Sequence, residues 1–499
     1  MRKQKSIFIK NVALPKRSLF ENEIQLVANK IDIFTGKRNR SSQSTRYKRV
    51  IAAQLVIEGL YQGFCNIQKL PLTVPHHPKS YSQNSSSQFY GVGYRILRSI
   101  CDTLEHLGWV KRDLGYRSLS EKDPTTELRP TGDLLEAFNA LGIAWQEMEP
   151  LKNNIQLRNY DSQTKKKYSL PVPDDEFTNT CKTNLDAINH FICKQAICLA
   201  VTNSNLSELA RHMSEPKRKR RYDYRKDNEY PLNFSFSMVQ LKRIFARSSM
   251  GLGGRFYGGW WQFIPKEYRP YITVNGHPTV EIDYSGLHPY MLYHLEGLDP
   301  PEGDIYDIGL WGNDLERSTK RPLVKEFFNA SINDQYGYFR LTQLELSTLG
   351  VTQTKLVKLI TSKHSAIAHR FSSGYGLHLQ WIDSQLAERV MLLLMDQNKI
   401  CLPVHDSFIG LLTQRNAIIE AMKTAYFERF NKAISLASKD LYMQDASGNP
   451  KYQRQFPLPF DKDGLVDRAT MFQQHNDSIH GQYVRSYSCR GYYSDLSYL

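Results

Sequence analysis

Two aspartates sit where a charged side chain is costly, and their positions restrict the fold more than any other feature. Asp283 ends an apolar, strand-like run in TVEIDYSGLHPYMLYH (279–294), and Asp406 lies in a very short link between two further apolar runs in NKICLPVHDSFIGLL (398–412). The second pattern reads as a β-hairpin carrying His405 and Asp406 at its tip. An Asp after a strand is also a common N-cap of the following helix, so Asp283 alone decides nothing. Two strand-borne aspartates separated by 123 positions can meet on adjacent strands of one sheet. Such a pair is what two-metal phosphoryl transfer requires: one ion lowers the pKa of an attacking hydroxyl, and both neutralise charge developing on the phosphate.

The rest of the composition fits that chemistry. A chain of 499 residues, 41% of them hydrophobic, can bury several cores. Sixty-five Lys and Arg against fifty Asp and Glu leave +15, which points to a polyanionic partner. No apolar run reaches the roughly 18 residues of a membrane span, so nucleic acid is preferred to a membrane. The first twenty residues hold six basic and no acidic side chains; a phosphate-touching arm is the preferred reading and an organellar targeting peptide the other. Seven cysteines without a CxxC pair indicate neither a disulfide framework nor a zinc site. They read as buried thiols of a reducing, cytoplasmic compartment.

Along the chain, residues 1–75 carry the basic arm and one helix, RYKRVIAAQLVIEGLYQGF, before the breaker-rich PLTVPHHPKSYSQNSSSQ. Residues 76–150 give the order helix, strand, turn, strand, helix, with Gly108 as a helix stop. That order resembles a winged helix, a fold that binds either DNA or protein. Residues 151–245 are polar and helix-like. They include the basic stretch Lys217, Arg218, Lys219, Arg220 and Arg221, with Tyr222 and Tyr224 close behind. It suits a sugar-phosphate backbone, a nuclear localisation signal or a solvated loop.

A third chemical element, RSTKRPLVKEFFNASINDQYGYF, lies between the aspartates. Arg321 and Lys325 at i and i+4 project from one helix face and can grip the phosphates of a nucleoside triphosphate. Pro322 predicts that this helix begins near Arg321.

In order, these segments resemble motifs A, B and C of the right-hand nucleic-acid polymerases, over about residues 250–440. DYS resembles family-A DNA polymerases; RxxxK followed by Tyr336-Gly337 resembles family A and the single-subunit phage-type RNA polymerases; VHDSF resembles the latter. GDIYDIG (303–309) is similar to the GDIHxxT stretch of family A, and Asn329 in KEFFNAS to the KxxxNS of family B. Tyr336 stands eleven residues after Lys325, where family A has eight.

The resemblance implies an α+β right-hand polymerase: a helical thumb-like region (151–245), palm (246–300 and 376–440) with fingers between (301–375), and a Tyr- and Ser-rich C-terminal region (441–499). Asp283, Asp406 and the Tyr284 carbonyl would hold two Mg²⁺, which Mn²⁺ can replace. Arg321, Lys325, Asn329 and Tyr336 would bind the nucleotide, and His288, five positions after Asp283, would test its sugar. An imidazole can exclude the 2′-hydroxyl or hydrogen-bond it; exclusion, and so template-directed DNA synthesis, is preferred.

The Gly-rich stretch SSMGLGGRFYGGWWQFIP offers Arg255, Tyr257 and Trp260 to nucleic acid. On a strand Trp260 and Trp261 would point opposite ways, one into the core and one toward substrate, which is the preferred reading; a glycine-rich turn whose tryptophans plug the core is the other. His405 and Gln380 are further candidate contacts to the primer and template, Gln380 equally a solvated helix residue. RNA synthesis or template-independent addition by the same site, and a non-catalytic DNA-binding replication or defence protein, are the rival readings. The tail RSYSCRGYYSDLSYL fits packing, a protein partner or a priming hydroxyl equally.

Overall fold

A computed structural model describes residues 7–8, 18–34, 42–64, 71–75, 92–114, 125–141, 154–161, 163, 166–201, 205, 209, 238–335 and 337–439. The class is mixed α+β. No described helix is long and apolar enough to cross a membrane. The described cysteines, Cys101, Cys181, Cys193, Cys198 and Cys401, are buried, and none is in a disulfide among the described residues. Burial pushes the Cys198 and Cys401 thiols up, and takes Cys101 to about 12 and Cys181 to about 11.

The first hydrophobic core runs from Phe20 to Phe138. Its elements are β1 (Ile7–Phe8), α1 (Glu21–Phe34), α2 (Gln43–Phe64), β2 (Leu72–Pro75), α3 (Tyr94–His106), β3 (Val110–Leu114), β4 (Thr125–Pro130) and α4 (Gly132–Leu141). The sheet order is β1-β2-β4-β3. Gly108 takes φ 71° just beyond α3, a conformation open to glycine without a Cβ clash. The expectation of one helix before residue 75 is corrected to two. α1 buries Ile24, Val27, Ala28 and Ile31, an i, i+3, i+4, i+7 stripe. The core also spans the Ser- and Pro-rich stretch, because β2 pairs antiparallel with β4.

The second core contains two sheets. One has the order β6-β5-β8-β9, built from β5 (Ile155–Asp161), β6 (Lys166–Leu170), β8 (Lys242–Ala246) and β9 (Ser249–Tyr257). These strands correct the helix-like reading of 151–245, where α5 (Glu176–Cys193) is the one long described helix. IQLRNYD begins with the alternate burial of a strand, too short to stand out against polar surroundings.

The other sheet carries the aspartates. Its order is β12-β13-β11-β10-β7, with β14 (Leu436–Lys439) also on β11. The strands are β7 (Ile197–Leu199), β10 (Ile272–Val274), β11 (His277–Tyr284), β12 (Leu402–Val404) and β13 (Ser407–Leu411). Asn275 and Gly276, both at positive φ, join β10 to β11 in a two-residue hairpin. Central β11 buries its run from Pro278 to Ile282, which accounts for its continuous apolar character.

Around these sheets lie α6 (Leu287–Leu295), α7 (Asp314–Asn333), α8 (Gln343–Leu349), α9 (Gln353–Lys363), α10 (Gly376–Asp396) and α11 (Arg415–Phe430). α10 packs along β9 and against α11, which packs on β11 and β13.

The expected start of α7 near Arg321 is corrected. The helix begins at Asp314 under an Asn313 cap that accepts from Glu316 N at 2.9 Å, and Pro322 lies inside it. Proline removes one i to i−4 hydrogen bond. The turn before it is held instead by Arg317 and Arg321 on Asp304 and by Lys320 Nζ on the Leu310 carbonyl at 2.8 Å.

Candidate active site

Strand pairing brings the two aspartates together. Asp283 is the register partner of Ser407, the residue after Asp406, and Tyr284 N donates to the Asp406 carbonyl at 3.2 Å. Both aspartates are half-buried. The Tyr284 ring is buried and its hydroxyl donates to the Met422 carbonyl at 2.7 Å, pinning the end of β11 to α11. Burial pushes that hydroxyl well above its ordinary pKa. Glu281, one strand period before Asp283, accepts from Ser407 Oγ at 2.7 Å and pairs with Arg269 at 3.2 Å.

Among the described residues no cluster of three or more His, Cys, Asp or Glu forms a ready metal cage. Two carboxylates beside a strand-end carbonyl are a sparse, all-oxygen donor set. That set suits Mg²⁺, which keeps waters and takes substrate phosphates to complete its shell.

Next to Asp406, His405 takes φ 59°, an uncommon conformation for a non-glycine residue in a hairpin tip. Burial, helped by the nearby Arg255 charge, lowers its pKa to about 4, so the ring is neutral at pH 7. Tyr257 stands edge-on to it with ring centroids 5.6 Å apart.

Arg255 meets Asp383 through Nε at 2.6 Å and Nη2 at 2.5 Å, and its Nη2 lies 3.1 Å from His288 Nε2. Asp383 is 2% exposed. Burial alone would raise its pKa, but Arg255 and His288 outweigh that and hold it at about 2. Sequence reading missed Asp383; its signal was an acidic residue on the apolar stripe of α10. One turn on, Glu388 pairs with fully buried Arg243 at 2.8 Å.

The α7 candidates form a second group. Arg321 grips Asp304 with two bonds, Nε to Oδ2 at 2.5 Å and Nη2 to Oδ1 at 3.0 Å. Arg321 and Lys325 lie over the Tyr306 ring at 5.1 and 5.8 Å, while Lys325 itself is exposed. Burial raises the Tyr306 hydroxyl to about 12 against a hydrogen bond with Asn329, and the Asp406 charge also reaches it. Asp304 and Tyr306 belong to GDIYDIG, and their roles as Arg321 clamp and aromatic floor were not legible from spacing.

Trp260 is corrected. Residues Trp260–Gln262 form a 3₁₀ turn rather than a strand, and both Trp260 and Trp261 are 0% exposed. Neither ring can stack on a base. Trp261 Nε1 donates to the Pro403 carbonyl at 3.1 Å, so the pair supports the Asp406 hairpin from beneath. Arg255, expected to meet nucleic acid, is committed to Asp383. Gln380 is half-buried on α10, one turn before Asp383. Tyr336, Lys217, Arg218, Lys219, Arg220 and Arg221 lie outside the described residues.

No protein-family model matches the chain, and no curated protein gives a significant match.

Proposed function

We propose that the chain is a nucleotidyltransferase with a right-hand polymerase architecture, extending a 3′-hydroxyl with deoxynucleotides on a nucleic-acid template. One observation carries the reading: Asp283 at the end of β11 and Asp406 in the turn that enters its antiparallel neighbour β13 lie together, Tyr284 N donating to the Asp406 carbonyl at 3.2 Å, while α7 holds Arg321 and Lys325 over the Tyr306 ring. Asp283, Asp406 and the Tyr284 carbonyl would hold Mg²⁺, and the bound ions would supply hydroxyl activation and charge neutralisation at the phosphate. Exposed Lys325 and half-buried Arg321 hold the triphosphate, Arg321 by exchanging Asp304 for phosphate oxygens of the same charge and fork geometry. Tyr306 and Asn329 fix the floor of that pocket.

His288 supports deoxynucleotide choice. Its Nε2 faces the Arg255 donor Nη2 at 3.1 Å, which supports reading the ring as a wall rather than as a partner to a 2′-hydroxyl. The N-terminal body supports a winged-helix-like DNA contact, because the β3–β4 hairpin follows α3 directly and β4 also pairs with β2. The absence of a CxxC pair and the burial of the described thiols support a reducing, cytoplasmic setting.

The test is primer extension with Mg²⁺, offering DNA and RNA templates, no template and no primer, with dNTPs and NTPs in separate reactions. Wild type should extend a templated primer with dNTPs, while Asp283→Asn and Asp406→Asn each lose at least about a thousandfold in rate. Ribonucleotide use would reassign the site to RNA synthesis. No product under any condition, despite tight DNA binding, would leave a DNA-binding scaffold.

A further inference from the structure

The sheet β6-β5-β8-β9 has one face in the core and one outside it. Ile155, Leu157, Phe245 and Phe256 fill the inner face. Strand registers put Tyr257 beside Lys242, Ile244 beside Gln156, and Tyr160 beside Lys167 on the outer face. Gln156, Arg158, Lys242, Ile244 and Tyr257 are partly exposed; Tyr160 and Lys167 are exposed at the sheet edge. None of these positions is acidic, although the chain has fifty acidic residues.

Arg158 confirms the geometry independently. Its Nη2 donates to Gln156 Oε1 at 2.6 Å, and its guanidinium is within electrostatic reach of Tyr257 two strands away. Tyr257 packs against His405, so the face is continuous with the aspartate hairpin.

We propose that this outer face is a docking surface for the sugar-phosphate backbone of the duplex whose 3′ end lies at Asp283 and Asp406, an inference that rests on the function proposed above. Charge complementarity selects a polyanion, and the balance of side chains selects duplex over unpaired strand. Unpaired strands are gripped largely by base stacking. Here Tyr257 is packed on His405 and Tyr160 is the exposed ring, whereas Arg158, Lys167 and Lys242 supply the charge. Three strand spacings from β9 to β6 are about 14 Å. At 3.4 Å per base pair the contact reaches roughly four pairs behind the terminus.

The experiment measures binding of the full chain to a primer–template labelled with fluorescein, across a salt series, for wild type, Arg158→Gln, Tyr160→Ala and Lys167→Glu. Thermal unfolding checks each variant; Tyr160 and Lys167 are exposed, so those two test the surface without disturbing the core. A second series shortens either the duplex or the single-stranded overhang. The expected result is about tenfold weaker binding for Lys167→Glu and Arg158→Gln, with the salt slope reduced by about one for each lost cation. Wild type should lose affinity when the duplex falls below roughly four pairs, and Lys167→Glu should not respond to that shortening. Wild-type affinity and slope in all three variants would overturn the proposal, as would dependence on the overhang alone. Face-dependent duplex binding without nucleotide incorporation would retain the docking surface and refute the proposed activity.

Discussion

At the residue scale, the site is governed by which charges are already spent. Asp383, 2% exposed, binds Arg255 directly and lies 4.0 Å from His288 Nε2, so under the proposed function it would position the His288 ring from behind. Asp383→Asn leaves the Arg255 guanidinium without its countercharge. We expect a loss of about 3 kcal/mol in denaturant unfolding and, because His288 is released, a higher ratio of ribonucleotide to deoxynucleotide incorporation. A stability loss with an unchanged ratio would make Asp383 purely structural. Lys325 and Arg321 should separate in the same way. Exposed Lys325→Ala should raise the triphosphate KM about tenfold at unchanged stability, a loss of about 1.4 kcal/mol in binding. Arg321→Ala should also lower stability, since Asp304 loses its two-bond partner.

At the element scale, α7 runs through a proline. Pro322 removes one backbone hydrogen bond from the helix interior, while Asp304 holds Arg317 and Arg321 on the flanking turn. Pro322→Ala should raise stability by about 1 to 3 kcal/mol in urea unfolding. Destabilisation would mean that the ring's packing outweighs its missing N–H. The Asp406 hairpin shows the opposite balance. His405 holds a left-handed conformation because it is the first residue of a two-residue hairpin turn, and Trp261 and Gln262 both donate to the Pro403 carbonyl below it. Gly259 belongs to the same support: a Cβ there would collide with the Trp261 ring.

At the scale of the whole molecule, His364 ties three helices together. It ends α9, meets the Tyr293 hydroxyl of α6 at 2.9 Å through Nδ1, and lies 5.0 Å from the Phe328 ring of α7. Burial, then the neighbouring Lys363, lowers its pKa from 6.5 to about 4. The unfolded chain therefore takes up a proton that the folded chain refuses. Stability is complete above pH 6.5 and falls as pH drops toward 4, by about 3 kcal/mol. Urea midpoints across that range should show the slope in wild type and a shallower one in His364→Asn, where His405 still titrates in the same window. Asp383 acts in a separate, lower window: its depressed pKa stabilises the fold above the ordinary carboxylate range, and that contribution disappears as pH falls through about 2.

The strands bearing Asp283 and Asp406, the hairpin between Val404 and Ser407, and the adjacency of Arg321 and Lys325 were legible in the sequence. Each follows from local periodicity or a turn a few residues long. The start of α7 had a local signal in Asn313 three residues before Glu316 that the proline reading passed over. The burial of both tryptophans and the strands of 151–245 were not legible, because tertiary contacts override local propensity there. The sequence by itself determined which chemical groups are present and which strand or helix presents them, since backbone period and turn length are local properties. Only the tertiary structure decided which of those groups are spent on one another. Arg255 finds Asp383 across 128 positions and Arg243 finds Glu388 across 145, and packing at that range leaves no trace in spacing.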